Sequence, residues 1–531
     1  MNGNAITTST ARLASYGRSV SGIAADNAAR VVLRIGANED GETLTITLSD
    51  DLTSVPGYSS WGNLGGLYDI NDTNPDNAKA QQTLDVKATT GPDGAAMAFA
   101  VYRAPPDYVR TASNGSVVNK DFVDPNNPGA ADITPRYVSF QVTSKTYPNA
   151  VMPVGYLNVW RPPVVMVHGL WDDDSLFKHF FDFDARYRRF EGVLASWAQG
   201  LAGKISSSNT DTNLIGFGPN DLDQSFRQSV LRNANSNQLG IACNAPRVSK
   251  KLVDAVRDIR RSNGIAAAQA DVVAHSMGGL MIRKVENLPG FQGPDSFGVG
   301  RIHKLITAGT PYLGSPFASA VFNIPILGDV LGWNGRLAFG QSVTLTDSTV
   351  CGGPTLTTGA IYDLQGDSQG IGGGLTDGLK NLMTSSGHAV PTHVMAGKMD
   401  ATNFVFAPQF AAPGTALTTY NAIFGGHNSD GIVSVTSQLA VPVEPAVPND
   451  PPGGDVTPGL FHSSVLIGLK IPLPSPSFPF PPLAKVIFQG LAEFSPQSQI
   501  VTSVLNLLQW PQAFYQTFGS NPFVELKPPI Q

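Results

Sequence analysis

Charged residues are scarce in this chain. Aspartate, glutamate, lysine and arginine make up 14% of its 531 residues, and the formal net charge is −6. The sequence has no basic stripe, which argues against nucleic acid as a partner. The 42% of hydrophobic residues indicates a globular protein whose surface is polar but weakly charged.

Long apolar runs are also missing. The most apolar stretch, residues 317–339, is interrupted by a proline, an aspartate, an asparagine and an arginine, so we expect no transmembrane segment. The first residues show neither the basic region nor the apolar run of a signal peptide. A composition rich in Asn, Thr, Ser and Gly still predicts a secreted, extracellular protein.

Cysteine and metal-binding patterns are equally sparse. Cys243 and Cys351 are the only cysteines, and they allow one disulfide if the protein is exported. Two acidic loops, 69–77 and 124–128, fit Asx-turns better than calcium loops, since the first lacks glycine at its sixth position. We expect neither a metal site nor a cofactor.

The length predicts two or three domains. Residues 1–28 resemble a flexible N-terminal arm. Residues 29–160 contain short alternating strands with turn signals between them, which predicts an all-β, sandwich-like domain. Its role is structural or surface-binding.

From residue 161 the pattern changes to α/β. Residues 162–171 form a run that is apolar on both faces, as in a central strand of a parallel sheet. Strand and helix patterns then alternate to residue 308, which predicts a doubly wound, mostly parallel sheet over 161–531. Residues 312–392 interrupt the alternation and are predicted to form a cap or lid. A proline-rich link at 472–482 precedes a closing helix.

Residues 271–280 carry the strongest chemical signal. A β-branched run leads to Ser276, and two glycines lead away into a helical pattern. This is typical of a nucleophile elbow, which holds a serine on a strained turn between strand and helix. The close approach of strand and helix requires small residues two positions either side, and Gly278 and Ala274 meet that requirement. A serine that only caps the helix is the alternative.

A serine nucleophile needs a base and an orienting acid, which follow it in the order acid, then histidine, in α/β-hydrolases. Asp430 is the favoured acid because it lies at a turn before Gly431 and a β-branched pair. His462 is the favoured base because it follows the acid and precedes the final helix. The alternatives for the acid are Asp363, Asp367 and Asp400, and for the base His303, His388, His393 and His427.

The tetrahedral oxyanion formed in such a reaction needs two backbone N–H donors. One is expected from Met277, directly after the nucleophile, and the other from Leu170, directly after a His-Gly pair. His168 and His275 precede or adjoin the elbow, so we expect them to orient or pack rather than to react.

Several pieces of residues 162–510 resemble the bacterial lipase branch of the α/β-hydrolases. Within that branch the resemblance lies near the lecithin–cholesterol-acyltransferase-like and GPI-inositol-deacylase-like serine esterases. The matching pieces are residues 164–171, 274–279, 309–316 (GTPYLGSP), 363–364 with Ser368, and 430–433. The GTPYLGSP segment is the most specific of them.

The resemblance implies a triad of Ser276, Asp430 and His462. Ala274 in place of glycine, Tyr312 where the family often has histidine, and the proline-rich stretch at 472–482 depart from the family pattern. The resemblance does not extend to residues 1–160.

We therefore predict a lipase or carboxylesterase that cleaves hydrophobic carboxylic esters through an acyl-enzyme. The apolar residues at 312–340 favour acyl chains as substrates, and the sandwich could bind an insoluble lipid or polyester surface. A polyester depolymerase or an acyltransferase would use the same triad. The alternative class is a non-catalytic surface-binding protein on a hydrolase scaffold. The oligomeric state is left open.

Overall fold

The computed structural model describes most of the chain that surrounds the predicted nucleophile. The described residues are 20–58, 60–72, 80–114, 136–170, 240–322, 343–345, 356–365, 390–399, 415–440, 455–458, 462, 503–504, 507–508, 510–512 and 515–517.

Residues 22–160 contribute strands to two sheets. The first contains β1 (Gly22–Ala24), β3 (Thr43–Ser49), β5 (Thr83–Lys87), β8 (Tyr137–Ser144), β9 (Gly155–Trp160) and β11 (Ile265–Ala266), in the order β11-β1-β9-β8-β3-β5. The second contains β2 (Arg30–Gly36), β4 (Gly66–Asp69), β6 (Thr89–Thr90) and β7 (Ala96–Arg103), in the order β2-β7-β4, with β6 also paired to β7. A short helix, α1 (Ser60–Asn63), precedes β4.

Side-chain alternation explains why these sheets share a core. Along β3 the buried residues Leu44, Ile46 and Leu48 alternate with half-buried polar residues, so every second side chain lies on one face. They join a single hydrophobic cluster with residues of the other sheet, including Ala100 and Tyr102 of β7. Six predicted strands, near residues 31, 43, 83, 96, 137 and 155, are observed as β2, β3, β5, β7, β8 and β9.

Strand β1 shows that the predicted flexible arm, residues 1–28, was wrong for its last residues. Gly22–Ala24 pairs in parallel with β9 on one side and with β11 on the other. Ile23 is fully buried. Three residues are too few to show alternation in the sequence, so this strand is specified by its two distant partners. Residues 1–19 lie outside the described residues.

Asp26 links β1 to the second half of the chain. Its carboxylate is buried and accepts four backbone N–H groups, two from each half of the chain. One oxygen serves Ala28 and Ala29 at 3.0 and 2.7 Å, and the other serves Ala268 and Gln269 at 2.6 and 3.0 Å. A buried carboxylate needs hydrogen-bond donors, and these four N–H groups meet that need. None of its hydrogen-bond partners among the described residues is a cation.

The second half of the chain, with β10 (Val164–Val167), forms a third, mostly parallel sheet that is covered by helices. Its parallel strands are β10, β12 (Ala270–His275), β13 (Ile302–Ala308), β16 (Pro391–Lys398) and β17 (Asp455–Pro458), adjacent in that order. Strand β18 (Gln516–Thr517) is antiparallel to β16. Every residue of β10, β12 and β13 is buried, as expected for strands covered on both faces.

Helices cover this sheet and complete its core. They are α2 (Ile241–Ser262), α3 (Met277–Glu286), α4 (Pro316–Phe322), α5 (Ala360–Asp363), α6 (Thr415–Phe424) and α7 (Val435–Gln438), with a 3₁₀ turn at Pro294–Ser296. In α2, Leu252, Val256 and Ile259 are buried at helical spacing while Arg257 is exposed. No helix among the described segments is long and apolar enough to cross a membrane.

The predicted cap at 312–392 is described only in part. Ala360, Ile361 and Leu364 belong to the main hydrophobic core, and the carbonyl of Leu364 accepts the N–H of Ser315 at 2.8 Å. Strands β14 (Val343–Leu345) and β15 (Leu356–Thr358) form a separate antiparallel pair. Tyr312 and Ala318 also belong to this core, and the cap or lid stays a prediction.

Other predicted features lie outside the described residues. They include the loop at 124–128, the proline-rich link at 472–482 and Cys351. The side chain of Cys243 is not described either, so the disulfide stays a prediction. In the other acidic loop, Asp69 accepts the backbone and side-chain N–H groups of Asn71 at 2.7 and 2.9 Å, which is an Asx-turn.

Candidate active site

Ser276 sits on a strained turn between the end of β12 and the start of α3. Its φ is 54° and its ψ is −131°, a backbone conformation that L-residues rarely adopt. Two hydrogen bonds hold the turn: the N–H of Ser276 donates to the carbonyl of Ala308 at 2.9 Å, and the hydroxyl of Thr310 donates to the carbonyl of Ser276 at 3.0 Å. Only 7% of the serine is exposed. This is the geometry of a nucleophile elbow.

The backbone around this turn is packed so closely that two neighbouring positions have no room for a side chain. A Cβ atom at Gly278 would lie 2.5 Å from the carbonyl oxygen of Val167, and one at Gly169 would lie 2.5 Å from the Cβ of Ser276. Both distances are shorter than real Cβ contacts, so both positions require glycine. The sequence predicted this constraint for Gly278. At Ala274 the strand tolerates a methyl group, which is fully buried.

His462 and Asp430 meet Ser276 in one hydrogen-bonded line. The Nε2 atom of His462 lies 2.7 Å from the hydroxyl oxygen of Ser276, and its Nδ1 atom lies 2.7 Å from Oδ2 of Asp430. These two residues are 8% and 1% exposed. A carboxylate on Nδ1 leaves the lone pair of Nε2 facing the serine hydroxyl, because the N–H must point at the carboxylate.

The turn that carries Asp430 holds this carboxylate with backbone donors. Its Oδ1 atom accepts the N–H groups of Ile432 and Val433 at 3.0 and 2.8 Å. Gly431, with φ of 94°, makes this turn possible, and its N–H donates to the hydroxyl of Ser429. Oδ1 of Asp430 therefore stabilises the turn, and Oδ2 binds His462.

The segment with the GTPYLGSP motif joins the nucleophile turn to the acid turn. Thr310 donates to the carbonyl of Ser276, and the hydroxyl of Ser315 donates to the carbonyl of Ile432 at 2.6 Å. The hydroxyl of Tyr312 donates to Thr307 of β13 at 2.9 Å, and burial raises the pKa of this tyrosine above its ordinary value. The motif is visible in the sequence, but the bonds from Thr310 and Ser315 to the two turns are not.

Leu170 and Met277 are the two residues predicted to donate backbone N–H groups to the oxyanion. Met277 is the first residue of α3, where backbone N–H groups have no partner inside the helix. Leu170 follows Gly169, whose α-carbon faces Ser276 closely. Their roles remain a prediction.

His275 contacts His462 rather than the hydroxyl of Ser276. Its Nε2 atom lies 3.0 Å from the backbone carbonyl oxygen of His462, and the two rings are 4.9 Å apart between centroids. Burial, together with the nearby His462, lowers the pKa of His275 well below its ordinary value. His168 is fully buried, with Nδ1 2.9 Å from the carbonyl of Gly169. The hydrogen bonds of both rings thus go to backbone carbonyls, and their predicted role of orienting or packing stays a prediction.

The rival acid Asp363 lies elsewhere and has another partner. It is buried, and its Oδ2 atom accepts the N–H of Ile241, the first residue of α2, at 2.7 Å. Burial raises the pKa of Asp363 to about 7, and the hydrogen bond from Ile241 lowers it in part. Asp367 and Asp400 lie outside the described residues.

The imidazole rings of two rival bases, His303 and His393, also have other partners. His303 lies near the amino end of β13, with Nδ1 2.7 Å from Oδ1 of Asp271 and Nε2 2.6 Å from the carbonyl oxygen of Pro106. The ring of His393 packs edge-on against Trp510, and the carbonyl of His427 accepts the hydroxyl of Tyr420 at 2.6 Å. His388 lies outside the described residues. Within the described part of the chain, no cluster of three or more possible metal ligands is found.

One protein-family model matches this chain. It is described as "Putative serine esterase (DUF676)" and matches residues 220–349, which include the turn at Ser276 and the GTPYLGSP segment. The resemblance to serine esterases is therefore confirmed over this region. No curated protein matches the chain significantly.

Two similar solved structures belong to bacterial lipolytic enzymes. The mature lipase BlEst2 from Bacillus licheniformis is 18% identical, with 57% of this chain and 84% of that chain covered and a TM-score of 0.27. The phospholipase PlaB from Legionella pneumophila is 16% identical, with 57% and 53% covered and a TM-score of 0.28. The chain thus spans about half of the length of PlaB. At these TM-scores neither likeness establishes a shared fold.

Proposed function

We propose that this chain is a serine ester hydrolase in which Ser276 is the nucleophile, His462 the general base and Asp430 the orienting acid. The observation that carries the proposal is the hydrogen-bonded line from Asp430 through His462 to a serine on a strained turn. A serine that only capped α3 would need neither a buried imidazole on its hydroxyl nor a positive φ, and Ser276 makes no side-chain capping bond to the helix.

The geometry supports acyl transfer in two steps. His462 accepts the hydroxyl proton through Nε2 as Oγ of Ser276 attacks the ester carbonyl, and the tetrahedral oxyanion faces the N–H groups of Leu170 and Met277. His462 then donates that proton to the alkoxide leaving group, and the alcohol departs. A water molecule, deprotonated by His462, attacks the acyl-enzyme; the bond to Oγ then breaks, the carboxylic acid departs, and His462 returns the proton to Oγ of Ser276. Asp430 keeps the imidazole in the required tautomer and stabilises its positive charge.

Hydrophobic esters are the substrate class that we propose. Helices α4 and α6 adjoin the acid turn and meet through an apolar cluster of Phe317, Met399, Tyr420, Ile423 and Phe424, with Ile432 packed against it. This cluster is buried beside the turn of Asp430, and binding sites for acyl chains combine apolar surroundings with a few convergent polar groups. The same proposal includes a lipid or polyester surface as the natural substrate. It also includes binding of the protein at that interface and export from the cell.

The decisive experiment measures the hydrolysis of p-nitrophenyl esters from short to long acyl chains by the parent and by Ser276→Ala. We expect the variant to lose about four orders of magnitude in kcat. A p-nitrophenyl phosphonate should label the parent stoichiometrically and leave the variant unlabelled. An inactive, unlabelled parent, or an alanine variant as fast as the parent, would favour the non-catalytic surface-binding alternative.

The same assay distinguishes the uses of the triad. A rate that rises with acyl-chain length indicates a lipase, and release of soluble monomers from a polyester film indicates a depolymerase. Transfer of the acyl group to an added alcohol in preference to water indicates an acyltransferase.

A further inference from the structure

His462, the proposed base, is anchored by its backbone as well as by its side chain. Its N–H donates to the carbonyl of Asp430 at 2.9 Å, and its own carbonyl accepts from Nε2 of His275 at 3.0 Å. The first bond goes to the proposed acid. The second comes from the residue that directly precedes the nucleophile.

The bond from His275 defines its tautomer. A carbonyl oxygen only accepts, so Nε2 of His275 must carry the proton. Its Nδ1 atom is buried and has no hydrogen-bond partner among the described residues. A second proton on this ring would therefore be a buried charge without a partner, close to an imidazole that becomes positive during the reaction. Burial and the neighbouring His462 both lower the pKa of His275, in agreement with a neutral ring.

We infer that His275 is a positioning residue, whose Nε2–H holds the backbone of His462 at the distance from which its imidazole can bind Ser276. The inference rests on the proposed function. The last residue of β12 thus connects the strand that presents the nucleophile to the segment that presents the base, 187 residues apart in the chain.

The consequence is a fixed distance between the two reacting groups. Strand β12 is fully buried and paired on both sides, so the ring of His275 is attached to a rigid element. A base that drifts by about 1 Å from the nucleophile costs on the order of a hundredfold in rate. A neutral donor at residue 275 prevents this drift without repelling the imidazolium of His462.

Two substitutions separate this role from simple packing. His275→Leu removes the donor and keeps an apolar side chain of similar bulk. His275→Gln also loses the ring, but its amide nitrogen reaches the place of Nε2 and can donate to the same carbonyl. We expect kcat to fall at least tenfold in the leucine variant with KM within about threefold, and the glutamine variant to recover most of that loss.

His393→Leu is the matched control. His393 is a buried histidine near the amino end of β16, away from the strand ends that carry the site. We expect it to lower the unfolding midpoint and to leave kcat nearly unchanged. Thermal unfolding and phosphonate labelling rates are measured for all three variants, at pH values from 5 to 9. Neither variant at 275 should shift the acid limb of kcat/KM, because a neutral His275 does not titrate there.

The outcomes separate the inference from the proposed function. If Ser276→Ala abolishes activity but His275→Leu labels and turns over like the parent, the positioning role is overturned and the triad stands. If the glutamine variant is as slow as the leucine variant, the ring and not its donor matters, and the inference also fails. If Ser276→Ala keeps its rate, the proposed function itself is wrong.

Discussion

Asp430 and His462 are joined twice. The side chains meet at 2.7 Å between Oδ2 and Nδ1, and the backbone N–H of His462 donates to the carbonyl of Asp430 at 2.9 Å. The proposed acid and the proposed base are therefore held together by two bonds, although 32 residues separate them in the chain. Movement of the base relative to its acid would require both bonds to break.

Asp430→Asn tests the role of the acid without removing its turn. The asparagine oxygen can still accept the N–H groups of Ile432 and Val433, but its NH₂ group would then face Nδ1 of His462. The imidazole would be driven to carry its proton on Nε2, where it cannot accept a proton from Ser276. We expect kcat to fall by about 10⁴-fold with KM nearly unchanged. A variant that keeps more than a tenth of the parent rate in ester hydrolysis would contradict this role.

Gly169→Ala tests the close approach at the nucleophile. The added methyl group would lie 2.5 Å from Cβ and 3.1 Å from Oγ of Ser276, so the serine side chain must move. We expect kcat to fall at least a hundredfold. Gly36→Ala is the matched control, because a Cβ atom there meets nothing within 4 Å, and it should leave kcat unchanged. Equal rates for the two variants would show that the site has room at residue 169.

Asp363→Asn should alter how stability depends on pH. The unfolded chain ionises this carboxyl near the ordinary pKa of 3.8, whereas burial raises its folded pKa to about 7. The folded state binds this proton more tightly, so the contribution of Asp363 to the free energy of unfolding is fully present below about pH 4. It declines as the pH rises to about 7, and it stays low above that.

Asparagine does not titrate and can still accept the N–H of Ile241. We therefore expect the unfolding midpoint of the variant, relative to the parent, to rise between pH 4 and pH 8. Urea unfolding at intervals across this range measures the difference. A difference that stays constant with pH would mean that Asp363 is ionised throughout.

Asp26→Ala should destabilise the whole chain, because it leaves four backbone N–H groups without their acceptor, two from each half. We expect a loss of about 4 kcal/mol in the free energy of unfolding, since each such buried bond to a charged group contributes about 1.5–3 kcal/mol and the losses add incompletely. Urea unfolding followed by tryptophan fluorescence measures it.

The control for this prediction is Asp85→Ala. Asp85 pairs with Lys145 on the surface, where both side chains are about half exposed. Its loss should cost less than about 1 kcal/mol. Similar losses for the two variants would show that Asp26 does not hold the two halves of the chain together.

The sequence by itself determined the features that are local. The elbow around Ser276 is readable because strand, turn and helix follow one another within ten residues and each leaves its own pattern. Asp430 is readable because its turn needs Gly431 next to it. His462 could be selected only by chain order and by elimination among five histidines, since nothing in its neighbours marks it.

Tertiary structure alone decided the contacts between distant segments. Strand β1 exists because β9 and β11 pair with it, the bond from His275 forms because β12 and the segment at residue 462 meet, and Asp363 binds Ile241 from 122 residues away. A single sequence shows which residues are suited to a strand, a turn or a buried position. Which of them come within 3 Å of one another depends on the packing of the whole chain, and no local pattern records that packing.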